Sequence, residues 1–372
     1  MRILHINCNY IGTTLHQLMI EELDKLGYNN QVYVPTYNKN LAVIIPNENV
    51  IVSECFKKWD RILFDYKQRK IYKDIQSKCN ISKFDCIHAY TLFTDGNCAR
   101  KLSKKYGVPY VVAVRNTDVN KFFKKMIHLR SRGLKIMQDA RAVFFLSEAY
   151  RKQVFDKYVP KSLYMELMKK SYIIPNGIDN FWFKNKPNLR KSLNFNKEIK
   201  LIYAGRIDKN KNIPTIQKAM KILRNKGYNV NLTVVGKIED QKEFKKIMTD
   251  KFTKYFHPMG KDKLIDLYRS ADIFVMPSFT ESFGLVYAEA MSQGLPVLYT
   301  EGQGFDGQFN EGEVGYRVSA NNADTISDGI LKIIQNYSEL NGRVAERVKK
   351  FRWSDIVKSY DFIYEGMDAY RK

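Results

Sequence analysis

Pro277-Ser278-Phe279-Thr280-Glu281-Ser282-Phe283-Gly284-Leu285-Val286-Tyr287-Ala288-Glu289-Ala290-Met291-Ser292-Gln293-Gly294-Leu295-Pro296-Val297 joins one strand to the next through a helix. A strand near 272 to 276 stops at Pro277, a polar turn presents Glu281, and Gly284 permits close backbone approach where a helix near 284 to 293 begins. Glu289 lies on that helix, and a further strand follows near 296 to 299. Such a repeat is the unit of a parallel α/β sheet. A helix N-terminus carries unpaired N–H groups and partial positive charge, so residues 282 to 285 suit an anion or sugar hydroxyls. Two carboxylates set apart by a loop and a helical turn suit two parts of one ligand, because carboxylates accept hydroxyl hydrogen bonds well. The same residues also suit a purely structural role, with Glu281 near the positive end of the dipole and Glu289 solvated.

Upstream, Leu201-Ile202-Tyr203-Ala204-Gly205-Arg206-Ile207-Asp208-Lys209-Asn210-Lys211-Asn212 runs from a strand into Gly205 and then Arg206, with Lys211 opening the next helix. An Arg fork and a Lys point charge at the carboxyl end of a parallel strand suit a diphosphate. In a chain with 62 basic residues, a solvated surface pair has the same spacing.

The alternation extends along the chain. Strands are expected near 2–7, 31–35, 84–88, 109–114, 142–146 and 171–174, and again near 199–204, 230–235 and 252–256, with helices near 212–226, 240–247, 261–269 and 322–336. The apolar run Leu41 to Pro46 also has strand length. Between the two series, residues 176 to 196 are rich in Asn, Gly and Pro and read as a linker. Two Rossmann-like domains in tandem follow, as a length of 372 residues allows.

Composition excludes several classes. With 44% hydrophobic and 27% charged residues the chain is neither disordered nor fibrous. No apolar window approaches the roughly 18 residues of a membrane span, and the opening Arg2-Ile3-Leu4-His5-Ile6-Asn7 reads as a strand instead of a signal peptide, so a cytoplasmic location is expected. Cys8, Cys55, Cys79, Cys86 and Cys98 form no CxxC pair and are expected as free thiols. The formal charge of +23 is uneven: residues 1–195 hold 34 basic and 16 acidic side chains, and residues 196–354 hold 25 and 19. Such a field favours anionic partners.

In this order and spacing the two motifs resemble the retaining glycosyltransferases of family four, which have the GT-B fold: two Rossmann-like domains facing across a cleft, with the last helix crossing back to the first domain. Glu281 and Glu289 are similar to the family's pair of glutamates, and Arg206 with Lys211 to its diphosphate-binding GRxxxxK. Ile174-Pro175-Asn176-Gly177-Ile178-Asp179, Gly294-Leu295-Pro296-Val297 and Trp353 at the start of the last helix add to the likeness. On that pattern 1–195 is an acceptor-side domain with its linker, 196–354 the nucleotide-sugar-binding domain and 355–372 the returning helix. The resemblance implies transfer of a hexosyl group from a nucleoside diphosphate sugar to a glycan or lipid-linked saccharide in cell-surface polysaccharide synthesis, with UDP as the default base. Glu281, Arg206 and Lys211 would be catalytic. Glu289 would hold the ribose, Ser282, Phe283, Gly284 and Leu285 the donor sugar through their backbone, and Gly12 and Thr13 a loop closing over the site. No cofactor is implied and no metal is expected, since no Asp-x-Asp run occurs and the five histidines are scattered.

The chain departs from the family where a His is frequent in the first domain. Arg115 stands there after Val111-Val112-Ala113-Val114, either binding acceptor or phosphate or pairing with Asp118. Tyr90 stands at a second such position, and His88 reads as a core residue. Two segments, Phe56 to Ile75 and Lys121 to Ile136, mix cations with bulky apolar residues at helical spacing, as an interfacial helix on an anionic membrane would. Peripheral attachment to the inner membrane face is therefore expected. Rival readings are a nucleotide-sugar epimerase of the same fold and a basic nucleic-acid-binding protein, although nucleic-acid recognition motifs are lacking.

Overall fold

The computed structural model describes residues 1–42, 47–187 and 198–368. It divides into two compact units, one of Met1–Gly177 with Trp353–Lys372 and one of Ile178–Arg352. The division falls earlier than the expected 195/196: Asp179 caps a short helix, Asn180–Lys184, whose Trp182 is buried in the second unit. A five-residue helix is too short to show a period, which is why its sequence reads as linker. Residues 188–196 of that linker lie outside the described residues.

The first unit is built on β1 (Arg2–Ile6), β2 (Asn29–Thr36), β3 (Val50–Glu54), β4 (Cys86–Ala89), β5 (Tyr110–Val114), β6 (Ala142–Phe145) and β7 (Ser171–Ile173). They form one sheet in the order β3-β2-β1-β4-β5-β6-β7, and every pairing is parallel. Every residue of β4, β5 and β6 is buried, as strands covered on both faces must be. Alternate residues feed two cores: Leu4, Ile6, Val112 and Val143 one, Ile3, Val111, Ala113 and Phe144 the other.

The second core is closed by helix Leu15–Lys25 and the last helix, Trp353–Asp368, through Ile356, Val357, Tyr360 and Tyr364. Tyr364 Oη lies 2.6 Å from His88 Nδ1, and Tyr28 Oη donates to Asp361 at 2.5 Å. The returning helix starts at Trp353, against which Gly177 packs so closely that an added Cβ would lie 2.6 Å from the indole.

The second unit has β8 (Ile199–Ala204), β9 (Val230–Val235), β10 (Thr253–Phe256), β11 (Ile273–Met276), β12 (Val297–Thr300) and β13 (Gly315–Val318), in the parallel order β10-β9-β8-β11-β12-β13. Eleven of the twelve expected strands are present apart from end shifts of one or two residues, while β3 and β13 were not anticipated. Both are edge strands, half covered, so polar residues dilute their apolar runs. Of the expected strand Leu41–Pro46, Leu41 ends a single 3-10 turn and residues 43–46 lie outside the described residues.

The two segments expected to be interfacial differ. Lys121 to Ile136 is broken into a π turn, a 3-10 turn and a helix; Phe123, Leu129 and Ile136 are buried and Phe122 stacks on Phe93, leaving Ile127 exposed. Adjacent Phe122 and Phe123 both reach the core because the wider π turn changes their angular spacing. Around Phe56 to Phe64 the reverse holds, and Trp59, Ile62 and Leu63 are exposed.

Candidate active site

At the carboxyl end of β8 the chain passes through Gly205, whose φ of 156° and contact with Gly236 bring two backbones together: a Cβ on Gly236 would sit 1.7 Å from the Gly205 carbonyl oxygen. Tyr203 Oη donates to the Arg206 carbonyl at 2.5 Å. Asp208 Oδ1 then accepts from the Lys211 N–H at 3.1 Å and closes the turn Lys209–Lys211. Asn212 takes left-handed backbone, φ 60°, and its amide donates to the carbonyls of Pro277 and Ala320 at 3.1 and 2.6 Å. The turn before helix Ile213–Asn225 is thereby latched to the loop after β11.

That loop carries Glu281. Lys211 Nζ donates to Glu281 Oε2 at 2.5 Å, and the Ser282 N–H donates to Oε1 at 3.0 Å, so both carboxylate oxygens are engaged. Each of the two residues is only 9% exposed, so this is a buried ion pair. Asn210 reinforces it by accepting from the Thr280 N–H at 3.0 Å and donating to the Thr280 carbonyl at 2.8 Å. Gln303 Oε1 accepts from the Glu281 N–H at 3.0 Å, and Gly304 lets its own loop lie directly on Ser282.

Gly284, at φ 75°, starts helix Leu285–Ser292, and a Cβ there would strike the Tyr287 ring at 2.4 Å. Phe283 is buried against Phe305 and Phe351, between exposed Ser282 and half-buried Gly284. The N–H groups of Phe283 and Gly284 make no hydrogen bond to a described residue. An open helix terminus thus stands beside a fixed carboxylate and ammonium, suited to oxygen-rich anions.

Glu289, further along the same helix, is half-buried. Burial pushes its carboxyl up to about 7, Asp179 pushes in the same direction, and Lys261 opposes them. Lys261 is itself paired with Asp179 at 2.5 Å. Sequence reasoning missed Asn210, Gln303 and Lys261; nothing in their local spacing announces them, since their partners lie at distant positions in the chain. The Arg206 guanidinium is exposed and makes no hydrogen bond or salt bridge to a described residue. The surface-pair reading therefore fits Arg206 alone, because the fold buries Lys211 against Glu281.

Gly12, Thr13 and Arg115 belong to the first unit. Gly12 is exposed, and Thr13 Oγ1 accepts from the Leu15 N–H at 3.3 Å. Arg115 does not form an ion pair with Asp118: its side chain donates to the Tyr90 carbonyl and to Asn176 Oδ1, both at 3.1 Å. Asp118 instead accepts from the N–H groups of Leu92, Phe93 and Arg115, while burial pushes its carboxyl up to about 6. His88 is buried, and desolvation holds it well below the usual histidine range, as a core residue.

The family profile described as Glycosyl transferases group 1 matches residues 185–351, and that of Glycosyltransferase Family 4 matches residues 12–180. The chain belongs to this glycosyltransferase family. It is 27% identical over 264 residues to a D-inositol 3-phosphate glycosyltransferase of Arthrobacter sp. (strain FB24), an alignment covering 66% of this chain and 61% of that protein. Among solved structures, sucrose-phosphate synthase of Thermosynechococcus elongatus superposes with a TM-score of 0.77 at 18% identity, covering 99% of each chain. HepE of Anabaena, solved in complex with UDP and glucose, superposes with a TM-score of 0.69 at 15% identity, covering 98% of this chain and 100% of that one. The fold is GT-B.

Lys211→Ala should lower the unfolding free energy by about 3 to 5 kcal/mol, because it strands a buried carboxylate. Arg206→Ala should leave the melting temperature unchanged. Urea denaturation of both variants checks the contrast, and equal stabilities would mean that the pair is not buried in solution. Glu289 binds its proton more tightly folded than unfolded, so its favourable contribution is complete below about pH 4.5 and is lost as pH rises through about 7. The melting temperature of Glu289→Gln relative to wild type should therefore rise between pH 5 and pH 8; a constant difference would contradict the assignment.

Proposed function

We propose that this chain transfers a hexosyl group from a UDP-sugar, with retention of configuration and without a metal ion, to a glycan or lipid-linked saccharide in cell-surface polysaccharide synthesis. The observation that carries the reading is the buried Lys211–Glu281 pair beside the left-handed Gly284 at an open helix terminus. A nucleoside diphosphate leaves with growing negative charge, and a prearranged ammonium with backbone N–H groups stabilises that charge without reorganising. Arg206, exposed and without a partner among the described residues, supplies the mobile cation for the outer phosphate. Glu281 orients the donor sugar and Glu289 the ribose hydroxyls. UDP is favoured because HepE was solved with it.

Attachment to an anionic membrane is part of this reading and rests on the segment around Trp59. Asp60 turns inward, capping the Lys57 N–H and pairing with Lys70, each at 2.7 Å. Lys57, Lys58 and Arg61 remain outside with Trp59, Ile62 and Leu63. Such a face suits a headgroup boundary, where each basic residue contributes about 1 kcal/mol. No helix among the described residues is long and apolar enough to cross a membrane.

UDP should raise the melting temperature more than GDP does, and Glu281→Gln should lower turnover with the UDP-sugar more than affinity. EDTA should leave turnover unchanged, and NMR of the product should give the donor's anomeric configuration. Sugar conversion without acceptor would favour the epimerase reading. Co-sedimentation should detect binding to anionic vesicles at low salt and little to neutral ones. Changing Trp59, Ile62 and Leu63 together to Ser should abolish it; unaltered binding by that variant would remove the membrane claim.

A further inference from the structure

The first unit contains a cavity of about 510 Å³, within the range of small-molecule sites. It opens at the carboxyl ends of the strands: Cys8 follows β1, Thr36 closes β2, Phe56 follows β3, and Thr94 and Thr117 lie beyond β4 and β5. Open parallel sheets bind ligands at this end. Gly12 and Thr13 line it too.

Its chemistry is one-sided. Among the described residues, Arg61, Lys67 and Lys121 line the cavity and no Asp or Glu does. None of these three side chains makes a hydrogen bond or salt bridge to a described residue, whereas neighbouring Lys70 and Arg132 are paired with Asp60 and Asp65. Lys67 lies half-buried, its ammonium 5.5 Å from the Phe56 ring centre and 5.9 Å from that of Phe64, and Arg61 lies 5.7 Å from the Tyr37 ring centre. Asp95, which the Lys67 charge reaches, is fully buried, and burial pushes its carboxyl up to about 7. It therefore offsets that ammonium only in part. Partly desolvated cations among aromatic rings attract an anion that hydrogen-bonds several of them at once.

The rim adds a second requirement. Ile62 and Leu63, 75% and 64% exposed, stand between Arg61 and Phe64 of the lining, beside exposed Trp59. A ligand whose charged end fills the cavity would pass its other end over an apolar lip.

We propose that this cavity binds a phosphate ester of the acceptor, with Arg61, Lys67 and Lys121 around the phosphate and the aromatic wall against the group beside it. The proposal rests on the transferase reading above, which leaves the acceptor's binding groups unassigned. The shared chemistry is a phosphate monoester or diester, carried by a lipid or by a soluble sugar.

Trp59 is exposed whereas Trp182 and Trp353 are buried, so intrinsic fluorescence reports on the rim. The titration compares dodecyl phosphate below its micelle concentration, glucose 1-phosphate and neutral dodecyl maltoside. Dodecyl phosphate should saturate and the maltoside should not. Lys67→Met should weaken binding roughly tenfold or more, as loss of a charge-assisted hydrogen bond does, and Lys67→Arg should retain it. Glucose 1-phosphate binding as tightly as dodecyl phosphate supports the site with a soluble acceptor; binding tenfold weaker supports it with a lipid-linked one. If neither ester binds, if the maltoside matches them, or if folded Lys67→Met binds like wild type, the proposal is overturned. The melting shift with UDP is measured alongside: its loss with ester binding intact removes the transferase reading, while its retention without ester binding removes only this site.

Discussion

Burying an ammonium group is costly unless an anion meets it, and the second unit supplies that anion to Lys211 from a loop seventy residues further along the chain. The pair ties the turn after β8 to the loop after β11. Asn210 and Asn212 repeat the tie with hydrogen bonds to Thr280 and Pro277, and Gln303 holds the Glu281 backbone from a third loop. With so many partners converging, the start of helix Leu285–Ser292 has a single position, and Gly284 adopts the left-handed backbone that this position requires. A buried polar network with all members satisfied fixes one geometry, whereas a half-satisfied one is worse than an apolar core. The fixed position of these loops is thus a consequence of one lysine's desolvation.

The first unit uses its carboxylates differently. Asp118 holds three backbone N–H groups, Asp60 caps a turn and pairs with Lys70, and Asp139 pairs with Arg100 and Lys104. With these acids committed to internal ties, Lys57, Lys58, Arg61, Lys67 and Lys121 form no salt bridge among the described residues. Part of the excess of 34 basic over 16 acidic residues in the first 195 thus meets solvent around Trp59 and along the cavity beside it. Fields concentrated in this way act on association and ligand choice more than on fold.

Most of the fold was legible because parallel strands covered on both faces leave continuous apolar runs, as in Val111-Val112-Ala113-Val114 and Ala142-Val143-Phe144-Phe145. The edge strands β3 and β13 escaped because half-coverage admits Ser, Glu and Arg into them. Glu281, Gly284 and Glu289 were legible since one loop and one helix carry them all, and local spacing survives folding. Whether Lys211 faces water was not legible, because its burial is decided by a partner from another loop. The packing of Phe122 and Phe123 was not legible for a related reason: adjacent rings cannot share one face of a regular helix, and the π turn puts Phe123 in the core with Phe122 packed against it. The cavity of the first unit had no local signature at all, being assembled from the ends of five strands.

Glu281 and Glu289 are the same residue type eight positions apart, yet the fold puts them in different surroundings. Glu281 is buried with a cation in contact, and the Ser282 N–H completes its shell. Its geometry is fixed before any ligand arrives. Glu289 has no cation in contact among the described residues: Lys261 is held by Asp179, whose own charge pushes the Glu289 carboxyl in the same direction as burial, up to about 7. Near neutral pH such a carboxyl exists in both protonation states, and it exchanges a donated for an accepted hydrogen bond at little cost. Hydroxyl groups present both a donor and an acceptor, so they match a carboxyl of this kind better than a phosphate would, since a phosphate is repelled by the ionised form. Two carboxylates in such different surroundings are suited to different tasks. Here the divergence follows from which of the two is reached by a lysine that is not already paired with another carboxylate.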